Sequence, residues 1–371
     1  MPPEIKTGGC GGASARGLGY DRPAMTTTLL QRGLARARAL EAENRWPEAA
    51  HVYGQLRRSA PDWATARRFR GEFLLRQGQY REGFAEFEYR LAEPVFATAA
   101  RTAPAWTGDD PAGRRLLVAA EQGRGDLIML ARFLPALAAA GAQVSFGVQA
   151  DLARLFRSLG SQVAVIAEGD PLPVHDGHAW AFSLPYLLGV TQESVPHAPY
   201  LTAEPDLMAA WAARLGGDGP VVGRCWQGNP SFARDGARSV PAAALAPLLA
   251  VPGLRFVGLA AAGDAQALTA TAGCFTNLGP EIIAAPQGFA ITAAILANLD
   301  LVITVDTAIA HLAGALGRPA WLMLPFLADW RWGTDGSSSP WYPSLRLFRA
   351  PQPGGAVLAL PDVAAALAAW R

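Results

Sequence analysis

The sequence predicts an α/β chain: two parallel-sheet lobes in series behind an all-α N-terminal segment. Three observations carry that expectation. A helical pattern repeats at a spacing of 34 residues near the N-terminus. From Arg115, short apolar runs alternate with helix-periodic runs as βαβαβ. After a linking stretch the alternation begins again, and a length of 371 residues suits two or three domains.

Residues 1–24 are Gly-rich and lack an apolar h-region, so they read as a disordered leader, with Met25 a candidate start. Helical repeats follow over 25–100. Trp46 and Tyr80, Ala49 and Gly83, and Tyr53 and Phe87 are each 34 apart and share one helix face, which resembles the tetratricopeptide repeat. Two roles fit: a cap packed on the next domain, or a groove for a peptide or partner protein. In the first lobe, 101–205, "RLLVAA", "QVSFGV" and "QVAVIA" are strands, and "LIMLARFLPALAAAG" and "ADLARLFRSLG" are helices. In the second lobe, 206–371, "PVVGRCWQG", "LRFVGLA", "CFTNLG", "LVITV" and "LRLFR" are strands between helices such as "PAAALAPLLA" and "GFAITAAILANLD", and "VDTAIAHLAGALGRPAWLMLP" supplies a further helix and strand.

With 17% charged residues and a net charge of +1, nothing points to nucleic acid or an anionic membrane. Cys10, Cys225 and Cys274 form no metal-ligand spacing, and a reduced compartment is expected. No apolar run is long enough to span a bilayer, so a cytoplasmic protein without a transmembrane segment is expected.

Ligands of open α/β sheets sit at the carboxyl ends of strands, so the strand-to-helix turns are candidate site walls. In "VDTAIAH", Asp306 and Thr307 end a strand and can cap the next helix, whose N-terminus suits phosphate. His311 lies about one turn on, either facing the same way or satisfied in the core. In "EQGRGD", Gly123 and Gly125 permit close approach and positive φ, and Asp126 can cap the helix or reach the cleft as a general base. In "CWQGNPSFARDGARSVP", Gln227, Gly228 and Asn229 follow a strand end. Arg238 stands at the mouth of the next helix, where Ser239 can cap it and an arginine favours a diphosphate. Trp330, Trp332, Trp341 and Tyr342 crowd one loop, lining a pocket or sealing the lobes.

"VDTAIAHLAGALGRPAWLMLP", "DWRW", "SPWYPSLRLFR" and "PAWTGDDPAGRRLLVAAEQGRGD" together resemble bacterial tetratricopeptide-repeat glycosyltransferases, whose catalytic region is related to glycosyltransferase family 9, the lipopolysaccharide heptosyltransferases. The resemblance implies a GT-B fold of two Rossmann-like lobes and inverting sugar transfer from a nucleotide-sugar, with no cofactor and no metal. It implies Asp126 as base, Arg238 on phosphate, and Gln227, Gly228 and Asn229 in the donor loop. Thr307, Ala308 and the helix start would hold phosphate, Asp306 would meet sugar hydroxyls, and His311 completes the motif. Asp109 and Asp110 read as a loop before the first strand. Leu127 and Met129 depart from the hydroxyl and amide of relatives, and after "RFVGL" the charged donor contact of relatives is not evident, Asp264 being a poor substitute. The leading expectation is a protein or peptide acceptor held partly by the repeats. The alternatives are a lipid-linked or surface glycan acceptor, and a catalytically weakened adapter.

Overall fold

The computed structural model describes residues 24–97, 103–260, 268 and 275–370. The expected leader up to residue 23, Cys10, Asp264 and Cys274 lie outside the described residues.

Four helices open the described chain: α1 (Ala24–Ala42), α2 (Trp46–Ser59), α3 (Ala64–Arg76) and α4 (Tyr80–Phe87). α2 and α4 begin on the two aromatics of the 34-residue spacing. Tyr53 closes a small core with Leu34, Leu40, Val52 and Phe73 under α1 to α3. Tyr80, Phe84 and Phe87 of α4 instead join the main core shared with both lobes.

The first lobe is a parallel sheet of β1 (Arg115–Ala119), β2 (Gln143–Val148), β3 (Val163–Ala167) and β4 (Gly177–Trp180), in the order β3-β2-β1-β4. β4 was not expected from "GHAW", a stretch too short to show periodicity; it pairs with β1 through Leu116 to Ala119. The expected single helix after β1 is broken near Pro135 into Arg124–Leu130, a tight turn and Leu134–Ala139, because proline removes a helix donor and crowds the preceding turn.

The second lobe is a six-stranded parallel sheet. Its strands are β5 (Val221–Cys225), β6 (Arg255–Gly258), β7 (Phe275–Asn277), β8 (Leu301–Val305), β9 (Ala320–Leu324) and β10 (Leu345–Arg349), in the order β10-β9-β8-β5-β6-β7. β5, β8 and β9 are buried throughout, as strands covered on both faces must be. The lobes are bolted together by Arg132, which donates to the carbonyls of Pro196 and Trp341 at 3.0 and 2.7 Å and lies over the Tyr342 ring. Among the described residues, no helix is long and apolar enough to cross a membrane.

Candidate active site

The turn after β1 brings the first carboxylate to the lobe boundary. Gly123 is the N-cap residue of the helix Arg124–Leu130, and its N–H donates to Asp126 Oδ2 at 2.9 Å. Asp126 therefore does cap, and the cap leaves Oδ1 for Arg331, which reaches it from the second lobe. The positive φ expected of the two glycines falls instead on Gln122, at 60°. Gly123 is extended with φ −87°, and Gly125 serves close approach: a Cβ there would lie 2.8 Å from His311 Cδ2 and 3.3 Å from Ala308 Cα. Asp126 thus neighbours the start of the opposite lobe's helix.

That helix, Ala308–Ala315, begins at Thr307, whose hydroxyl accepts from Ile309 N–H at 3.3 Å. His311 is buried; its Nδ1 is 3.0 Å from Tyr342 Oη and its ring stacks on Trp332 at 5.3 Å. It packs the lobe boundary, the core alternative of the two that fitted the sequence. Burial, reinforced by Arg331 and Arg132, pushes its pKa down to about 3, so the ring is neutral.

Arg238 converges on the same place from β5. It ends a short helix, Asp235–Arg238, with Nε 2.9 Å from Asp235 Oδ1 and Nη1 donating to the Asp306 carbonyl at 2.9 Å. Gly228 lies against this pair, and a Cβ there would run into the Arg238 guanidinium. Ser239 does not cap the next helix as expected; its hydroxyl accepts from Gly228 N–H at 3.0 Å and donates to Asp235 at 2.9 Å, folding the loop after β5 closed. Gln227 is half-buried and Asn229 exposed at the loop tip. Cys225 Sγ, buried, lies 3.7 Å from Thr307 Oγ1.

Two residues of this site were not singled out from the sequence. Asp329 and Arg331 sit among the tryptophans of "DWRW" and pair at 2.6 Å. The signal available was a charged pair set inside an aromatic loop. The tryptophans themselves seal: Trp341 stacks on Tyr80 at 5.5 Å and Trp330 meets Phe84 edge-on at 5.9 Å. Burial, and then the Asp329 carboxylate, push Asp306 up to about 6. Burial also pushes on Asp329, but Arg331 and Arg234 outweigh it and hold its carboxyl at about 2. Leu127 and Met129 are fully buried, so the departure they represent faces the core. Asp109 pairs with Arg114, and Asp110 accepts from Ala112 N–H at 3.0 Å, which keeps both in the loop before β1.

Residues 243–321 match the model of glycosyltransferase family 9 (heptosyltransferase). The matched stretch lies in the second lobe. It takes in Asp306, Thr307, Ala308 and His311, and Asp126, Gln227, Gly228, Asn229 and Arg238 fall outside it. Protein FlbA of Caulobacter vibrioides is 32% identical over 330 residues, 80% of this chain and 54% of that protein. The chain thus spans about half the length of this curated relative. Among solved structures, the glycosyl transferase family 9 of Veillonella parvula covers 71% of this chain and 99% of its own, at 11% identity and a TM-score of 0.49. The E. coli ADP-heptose LPS heptosyltransferase II covers 68% and 98%, at 17% identity and a TM-score of 0.44.

Proposed function

We propose that the chain is an inverting glycosyltransferase that moves a sugar from a nucleotide-sugar to a hydroxyl of a protein or peptide. The observation that carries the reading is convergence: the turn bearing the Asp126 carboxylate lies against a helix start of the other lobe, and Arg238 bonds to the carbonyl of Asp306 just before that helix. Asp126 takes the proton of the acceptor hydroxyl as its oxygen attacks the anomeric carbon. The bond from that carbon to the diphosphate breaks on the opposite side. Charge gathering on the departing diphosphate meets Arg238 and the N–H groups at Thr307 and Ala308. No metal or cofactor is invoked. Gln227, Gly228 and Asn229 hold the nucleotide side, and Asp306 meets sugar hydroxyls.

The acceptor enters from the first lobe, where a cavity of about 530 Å³ opens at the carboxyl ends of β1, β2 and β3. Leu117, Val148 and Ile166 give it apolar walls, and Glu168 and Asp170 are its charged lining groups. That lining suits a neutral or basic acceptor better than a phosphorylated one. The test is mass spectrometry of the proteome co-expressed with the chain. A sugar adduct that disappears with Asp126→Ala supports the reading. An adduct that survives Asp126→Ala, or nucleotide binding with no adduct on any protein or glycan, overturns it.

A further inference from the structure

Arg331 belongs to one lobe and ends on the other. It follows β9, yet its guanidinium pairs with Asp126 beyond β1. Its second partner is Asp329, whose Oδ1 accepts from Nη1 at 2.6 Å and from the Arg331 backbone N–H at 3.2 Å. The rings of Trp330 and Phe182 lie 4.4 and 5.3 Å from the guanidinium carbon. The residue is 7% exposed. A guanidinium this enclosed keeps its charge, so it is a fixed cation between two carboxylates. Asp126 is then held at both oxygens, by Arg331 on Oδ1 and Gly123 N–H on Oδ2. A carboxylate offers about four acceptor sites, so lone pairs remain for an incoming hydroxyl.

The geometry points to Arg331 as a positioning residue for Asp126, supplied by the opposite lobe of the same chain, that aims the carboxylate and sets a fixed positive charge against it. This rests on Asp126 being the base. Burial pushes the Asp126 carboxyl up, and Asp329 and Glu121 push the same way; Arg331 and the Gly123 N–H oppose them. The groups facing Asp126 are Arg331 and Asp329 from the loop after β9 and Glu121 from the turn after β1. Glu121 is itself clasped by Arg90 at 2.8 and 2.9 Å. From the helix Ala308–Ala315, His311 packs on neighbouring Gly125 and is neutral. Without Arg331 the Gly123 N–H alone would oppose the burial and the facing carboxylates that raise the Asp126 carboxyl. Because the two residues belong to different lobes, the base is armed only while the lobes are together.

The experiment is a carboxyl ¹³C NMR titration of the full chain labelled at aspartate, with Asp126→Asn assigning the resonance. Arg331→Gln should raise the Asp126 midpoint by about a pH unit or more. Arg331→Lys, which keeps the charge without the fork, should fall between it and wild type. An unchanged midpoint in folded Arg331→Gln, judged by circular dichroism, overturns the proposal. Arg331→Lys decides the matter if Arg331→Gln does not fold: its midpoint should still lie above that of wild type, and no change there is equally fatal. The base assignment fails separately, through sugar transfer that persists in Asp126→Asn, and that result leaves the titration standing.

Discussion

His311 illustrates how one side chain can join two lobes at a site. It fills the space left by Gly125, stacks on Trp332 and meets the Tyr342 hydroxyl. Its pKa falls from 6.5 to about 3 on folding. The folded chain therefore binds fewer protons here than the unfolded chain over that window. The contribution is fully present above pH 6.5 and is lost as pH falls toward 3. Asp306, raised to about 6, acts with the opposite sign: its contribution is present in acid and lost as pH rises through 6. A difference measurement separates them. Between about pH 6.5 and 4, the thermal midpoint of wild type should fall further than that of His311→Gln. Parallel curves would show that His311 titrates normally in the fold.

At the scale of elements, α3 and α4 are structural partners of the site loop. Arg76 on α3 donates to the Ala328 carbonyl at 3.3 Å, and Phe84 on α4 covers Trp330. Arg90, just past α4, grips Glu121, which also accepts from Phe182 N–H at 2.8 Å. The helical segment thus holds the turn before Asp126 and the loop around Arg331. Phe84→Ala opens a cavity under Trp330 and should cost about 3–5 kcal/mol. Sugar transfer should fall as well, measured where the variant is still folded. Val52→Ala, in the separate core of α1 to α3, is the control. It should lower stability and leave the transfer rate alone, and equal transfer loss in both variants would mean that the coupling is not local.

For the whole molecule, the proposed function implies a nucleotide that binds the folded chain and not the unfolded one, which must stabilise the fold. At a concentration of 100 times Kd the gain is about 2.7 kcal/mol. A panel of nucleoside diphosphates should therefore contain at least one that raises the melting midpoint. That rise should vanish in Arg238→Ala, since the Arg238 side chain ties Asp306 to the loop after β5. A shift that survives Arg238→Ala would move the phosphate elsewhere.

Both parallel sheets, nine of the ten strands among the described residues and the turns that bear Asp126, Arg238 and Thr307 were legible in the sequence. These features rest on local rules: continuous apolar runs for strands covered on both faces, hydroxyls and carboxylates at helix starts, and glycine where backbones meet. The partner of each group was not legible. The pairing of Asp126 with Arg331 joins residues 205 apart, and no periodicity links them. The positive φ at Gln122, the folding of Ser239 onto Gly228 and the sealing role of the tryptophans have the same origin. Chain-local chemistry determined which residues stand at the ends of strands. Only the packing of two lobes and four helices against one another decided which charges meet, because burial and Coulomb energy depend on neighbours that the chain brings together from far apart.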